Sequence, residues 1–131
     1  VRTAPAAAIT GADRDARAIE SARRNAARAG VDAHVSFSAR DVADARPPAG
    51  PPGLVIANPP YGRRLGDPRS AQLAYRDLGR VLRAHFRGWR AAIVIPRALA
   101  GATSALRLET TARHRLRNGG LPIELAVAAI T

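Results

Sequence analysis

Short apolar runs alternate with amphipathic stretches along the chain, and the alternation predicts an order of elements. Ala6–Thr10 is small and apolar and predicts a buried strand, which runs into Gly11-Ala12-Asp13-Arg14-Asp15. From about Ala16 to Ala29, the residues Ile19, Ala22, Ala26 and Ala29 recur at helical spacing, while Arg17, Arg23, Arg24 and Arg28 fall mostly elsewhere. Asp15 stands where an N-cap is needed, and Gly30 supplies a left-handed stop. Val35, Phe37 and Ala39 alternate with other residues and predict a short strand over Val35–Ala39. Leu54–Ala57 is an unbroken apolar run, which predicts a strand buried on both faces.

The second half continues the alternation. A helix is expected from about Ala71 to Phe86, with Tyr75, Leu78, Val81, Leu82 and Phe86 as its buried stripe and Gly88 as its end. Trp89 is expected to pack as a plug under the next strand, Ala91–Ile95, which Pro96 stops. Residues 98–108 are ambiguous and read as a short helix and a turn. Leu116-Arg117 leads into Asn118-Gly119, a tight-turn signal, and Leu121–Ile130 then places Ile123, Leu125 and Val127 on one face. Strands alternating with helices imply an α/β fold, with a mostly parallel sheet closed by a C-terminal antiparallel hairpin. The proline-rich loop between Arg46 and Gly53 is too short to link domains, so residues 1–131 are expected to form a single domain.

Chemistry concentrates at the corner Asn58-Pro59-Pro60-Tyr61, just after the Leu54–Ala57 run. Two prolines remove two backbone donors and end the strand. Open α/β sheets place ligands at such carboxyl ends. The Asn58 carboxamide oxygen and the Pro59 carbonyl can each accept a hydrogen from an exocyclic NH₂, and Tyr61 can stack on a planar ring. Asp13 lies at the carboxyl tip of the first strand, where an acid can accept both hydroxyls of a ribose. It could equally be a turn-forming aspartate. Asp41 follows the Val35–Ala39 strand and also suits an N-cap.

Charge narrows the partners. The net charge is +11 and the sequence pI about 11.8, and every basic residue is arginine. Such a surface attracts phosphate backbones, although a solvated basic surface without a partner has the same composition. No apolar run approaches the length of a membrane span. There is no cysteine, which excludes disulfides and thiolate metal sites and is compatible with a cytoplasmic location. His34, His85 and His114 share no metal-ligand spacing, so no metal is expected. The chain starts at Val1 and contains no methionine, which reads as a piece of something longer.

Asn-Pro-Pro-Tyr resembles the fourth motif of the class I S-adenosylmethionine-dependent methyltransferases that act on exocyclic or amide nitrogen. The longer string NPPYGRRLG resembles the large-subunit ribosomal RNA guanine-N2 methyltransferases of the RlmL type, with Arg63 where the family usually has Glu. GADRDARAIESARRNAARAGV is similar to the second-strand motif of the same enzymes, and RLRNGGLPIEL to their closing hairpin. The resemblance implies a Rossmann-like sheet and S-adenosylmethionine as cofactor. In that sheet Asp13 holds the ribose, Asp41 accepts from the adenine amine and the Val42 N–H meets the ring. Asn58, with Pro59, Pro60 and Tyr61, forms the catalytic corner, and Asn58 also borders the cofactor.

The implied partner is ribosomal RNA, with Arg63 and Arg64 placed to meet its phosphates. Family members carry a THUMP domain upstream. Their glycine-rich first motif precedes the ribose acid, yet only 12 residues precede Asp13 here and they contain no GxG. The expectation is therefore a truncated catalytic domain whose missing N-terminal segment is a required partner. Adenine or glutamine-amide methylation and a non-catalytic RNA-binding remnant are the alternatives.

Overall fold

The computed structural model describes residues 4–59 and 68–131. The expected positions Pro60, Tyr61, Arg63 and Arg64 lie outside the described residues. The chain divides into two compact units, residues 1–50 and 51–131, joined within the proline-rich loop.

In the first unit, β1 (Ile9–Asp13) and β2 (Val35–Ala39) pair in parallel, from Ile9 opposite Val35 to Asp13 opposite Ala39. The crossover is α1 (Ala16–Arg28), followed by a short 3₁₀ turn at Asp32–His34. Gly11 lies directly beside Phe37, whose ring would stand 2.8 Å from a β-carbon there. Any side chain at position 11 would displace that ring.

The first strand was expected at Ala6–Thr10 and buried; it starts three residues later and is mostly exposed, with Ile9 at 49%. Alanine is a poor strand former, whereas Ile9 and Thr10 are β-branched. β1 also has a strand on one side only among the described residues. Pairing with Ala39 carries it on to Asp13.

Helix α1 is capped at both ends as its sequence demands. The Asp15 side chain accepts from the Arg17 N–H, and Gly30 takes φ +69. The Gly30 N–H donates to the Ala27 carbonyl and the Val31 N–H to that of Ala26, which completes a Schellman motif. Ile19 and Ala26 are buried, but Ala29, expected in the stripe, is the exposed C-cap.

The second unit is a four-stranded sheet in the order β3-β4-β6-β5, with β3 (Leu54–Ala57), β4 (Arg90–Pro96), β5 (Glu109–Asn118) and β6 (Leu121–Ala129). β3 and β4 are parallel, and β6 is antiparallel to both of its neighbours. Helix α2 (Pro68–His85) connects β3 to β4 and buries Ala71, Tyr75, Leu78, Val81 and Leu82. With Ile93, Ile95, Leu99, Ile123 and Ile130 these form the core. Trp89 is half-buried and meets Phe86 edge-on, at 5.5 Å and 86° between rings. Its ring stands 3.2 Å from where a β-carbon on Gly53 would be, so it packs at the root of β3 rather than under the strand that follows it.

Two expectations are corrected here. Leu54–Ala57 forms its strand but is not buried on both faces: Leu54 is 53% and Ile56 70% exposed. β3 is an edge of its own sheet, and no described element of the second unit covers the face those two residues share. The hairpin turn is Gly119-Gly120, not Asn118-Gly119. Asn118 pairs with Leu121 as the last strand residue, and the glycines take φ +55 and +90. Two successive positive φ values suit a two-residue hairpin, and glycine adopts them without strain. β5 is longer than its apolar content suggested, with a bulge at Thr111. It is exposed along nearly all its length, and its charges blunt the sheet edge.

Of the ambiguous stretch 98–108, all but the last two residues belong to a 3₁₀ helix, Arg97–Leu106, packed on α2. It ends at Arg107, which takes the left-handed conformation at φ +50. The Arg83 guanidinium holds this end by donating to the Leu106 and Arg107 carbonyls. Gly79 lets it approach, since a β-carbon on Gly79 would collide with the Leu106 carbonyl. On helix propensity alone, Gly79→Ala would stabilise by about 1 kcal/mol. Here it is expected to destabilise by about 1–3 kcal/mol, the cost of overpacking. A urea midpoint that rises in the variant would show that the Gly79 contact does not constrain the fold.

Candidate active site

The two acids of the first unit expected in the site stand at one end of one sheet. Asp13 is the last residue of β1, and Asp41 comes two residues after the end of β2, whose Ala39 pairs with Asp13. The Arg40 N–H donates to the Asp13 carbonyl at 3.0 Å, which ties the two strand ends together. Both acids are exposed.

Each acid uses one oxygen locally. Asp13 Oδ1 accepts from the Asp15 N–H at 2.8 Å, and Asp41 Oδ1 from the Ala43 N–H at 2.9 Å. Asp41 thus caps the short 3₁₀ helix Val42–Asp44. The second oxygen of each acid and the Val42 N–H make no hydrogen bond among the described residues. The turn-forming and capping alternatives are therefore real, and they leave two acceptors and one donor open at the same sheet end. Val42 is also exposed there, as an apolar surface beside them.

In the second unit, Asn58 and Pro59 follow the carboxyl end of β3, with Asn58 exposed and Pro59 buried. A buried proline fixes the direction in which the chain leaves the strand. Two clefts of this unit lie between α2 and the 97–107 segment. One, of about 180 Å³, is lined chiefly by apolar residues that include Ala98, Leu99 and Ala102. The other, of about 440 Å³, is lined by Gln72, Leu73, Arg76, Ser104, Ala105 and Arg107. Neither contains an expected site residue. Sequence reading missed the second cleft because nothing in the string marks Arg107 as left-handed. No group of three potential metal ligands occurs among the described residues. None of the described helices is long and apolar enough to cross a membrane.

The family described as the RMKL-like methyltransferase domain matches residues 1–126. The chain belongs to that family. Two relatives are each a ribosomal RNA large subunit methyltransferase K/L. That of Methylococcus capsulatus is 49% identical over 86 residues, covering 66% of this chain and 12% of the relative. That of Chromohalobacter salexigens is 38% identical over 124 residues, covering 93% of this chain and 17% of the relative. The chain thus spans less than a fifth of either. The solved structure of SMU.472 complexed with SAH superposes with a TM-score of 0.81 at 26% identity, over 94% of this chain and 32% of that one. The α/β fold expected from the alternation of elements is that of the methyltransferase family.

The Asp13 turn rests on Asp15, whose own carboxyl is exposed. The Arg17 N–H, and then the Arg17 side chain, hold it below its ordinary value of 3.8. A lowered value means that Asp15 stabilises the fold fully above the ordinary value. That contribution is lost as pH falls through the lowered one. Asp15→Asn should keep the cap and lose this part of the acid sensitivity, while Asp15→Ala should lose the cap at every pH. Thermal melts of the three proteins between neutral and acid pH check both; parallel pH profiles for wild type and Asp15→Asn would refute the linkage.

Proposed function

We propose that this chain is part of an RNA methyltransferase that moves a methyl group from S-adenosylmethionine to the exocyclic N2 of guanine in large-subunit ribosomal RNA. The observation that carries the reading is the set of open groups on Asp13, Asp41 and Val42 at one sheet end, in a chain of the methyltransferase family. A ribose offers two hydroxyl donors, which suit the open Asp13 oxygen. Adenine offers an amine donor beside a ring-nitrogen acceptor, which suits Asp41 and the Val42 N–H. The residues therefore fit S-adenosylmethionine, which supplies an electrophilic methyl on its sulfonium.

The chain's share of the chemistry is orientation. The exocyclic amine of guanine is a weak nucleophile because its lone pair is delocalised into the ring. The Asn58 carboxamide oxygen and the Pro59 carbonyl accept its two hydrogens and aim the lone pair at the methyl. As positive charge develops on nitrogen those two hydrogen bonds strengthen, so the stabilisation is specific to the transition state. Positioning supplies much of the remainder. Tyr61 receives the base once it is turned out of its stack, Pro60 stiffens the corner, and Arg63 and Arg64 meet the flanking phosphates. In this reading residues 1–131 belong to one catalytic domain. It works in the cytoplasm together with an upstream segment and a THUMP domain.

Donor-side and acceptor-side roles separate by kinetics. Asn58→Ala should lower kcat by roughly a hundredfold, the scale of one oriented hydrogen-bond partner, with cofactor affinity nearly unchanged. Asp13→Ala should weaken S-adenosylmethionine binding by about 2 kcal/mol, the scale of hydrogen bonds to a charged group. Calorimetry and labelled-methyl incorporation into ribosomal RNA measure the two. Equal cofactor affinity in Asp13→Ala, or full turnover in Asn58→Ala, would remove that residue from the site.

A further inference from the structure

Charge is divided unevenly between the two units. Residues 51–131 hold thirteen arginines against four acids, a net of +9; residues 1–50 hold eight against six, a net of +2. Arginine is equally dense in both, about one residue in six; the units part because the second carries fewer acids for its length. The excess belongs to the unit that carries the Asn58-Pro59 corner.

Within that unit, the 440 Å³ cleft is lined by two arginines, Arg76 and Arg107, with Gln72 and Ser104 among the remaining residues; Arg76 also makes a loose, exposed ion pair with Asp77, Nε to Oδ1 at 3.8 Å. The two walls of the cleft both begin at the corner's end of the sheet. The 97–106 segment starts where β4 stops, and α2 follows the segment that leaves β3. The cleft is open to solvent, since Gln72, Leu73, Arg76, Ser104 and Arg107 are all exposed.

Arg107 is also the one described residue other than glycine with a positive φ. A side chain in this region costs free energy and persists only where the surroundings fix it. Here they do: Arg83 binds the carbonyls of Leu106 and Arg107, and bare Gly79 lets that backbone sit against α2. A glycine would be the low-strain residue at position 107 if its only task were to end the helix. The chain instead holds an arginine at the cleft wall.

We propose that this cleft is an RNA subsite. In it Arg76 and Arg107 hold a phosphodiester of a nucleotide flanking the methylated one, with Gln72 and Ser104 within the same cleft to meet its sugar or base edge. Guanidinium groups suit phosphate oxygens through paired N–H donors, and such contacts set register rather than read sequence. The inference rests on the RNA methyltransferase reading and adds a second anchor to it, on elements other than the Asn58–Arg64 corner.

The test is binding of a fluorescein-labelled stem-loop of large-subunit ribosomal RNA to the full protein, by anisotropy across a salt series. The Arg76→Ala/Arg107→Gly variant should bind about tenfold more weakly. Its log-log salt slope should be smaller by roughly 1.4–1.8, as for two lost phosphate contacts. Its melting temperature should hold or rise, because glycine relieves the φ at position 107. Arg24→Ala/Arg28→Ala, which removes the same charge from α1, should bind like wild type. Unchanged binding in the cleft variant, or an equal loss in the α1 variant, would overturn the subsite and leave the methyltransferase reading standing. A wild-type protein that does not bind the RNA would overturn both.

Discussion

Parallel pairing is the constraint on which both units depend. Two parallel strands cannot be joined by a tight turn; they need a crossover of a dozen residues or more. Helix α1 is that crossover for β1 and β2, and α2 for β3 and β4. Once the crossover is made, both strands of a pair end on the same side. Asp13 and Asp41 therefore come to one end of the first sheet although 28 positions separate them in the chain. The same rule puts the Asn58-Pro59 corner beside the start of the 97–106 helix. The buried stripe of α2 closes the larger unit by packing on this frame.

In the proposed site a structural role and a binding role share one residue. Asp13 and Asp41 each give one oxygen to a backbone N–H two positions on. That bond fixes the carboxylate plane and so fixes the direction of the remaining oxygen. A ligand meeting it does not have to order the side chain first, which lowers the cost of binding. The Val42 N–H gains in the same way from the capped turn that Asp41 begins.

Much of this was legible in the sequence, and the failures have physical causes. β2 and β3 fall where their apolar patterns put them, and the α1 caps follow from Asp15 and Gly30. β1 slipped by three residues because alanines look apolar without favouring a strand. Leu54 and Ile56 were expected inside because composition reports what a strand can bury, not which neighbours cover it. Asp13, Asp41 and Asn58 stand at or just after strand ends, as the order of elements put them. The 440 Å³ cleft could not be read in this way. It depends on a left-handed arginine, and that conformation is set by Arg83 and Gly79 from another helix. No local pattern around residue 107 encodes a tertiary contact.

The same contact explains why a glycine sits in the middle of α2. An interior helical glycine costs about 1 kcal/mol against alanine, and α2 has no lack of better helix formers. The gain lies elsewhere, in the close approach of the Leu106 carbonyl. That approach brings the carbonyls of residues 106 and 107 within reach of Arg83, one turn further along the same face of α2. Gly79 and Arg83 act as one device, the first making room and the second holding what enters. Arg107 stands at its far end, on the cleft wall. Local helix stability and the position of a surface cation are thus coupled through one backbone contact.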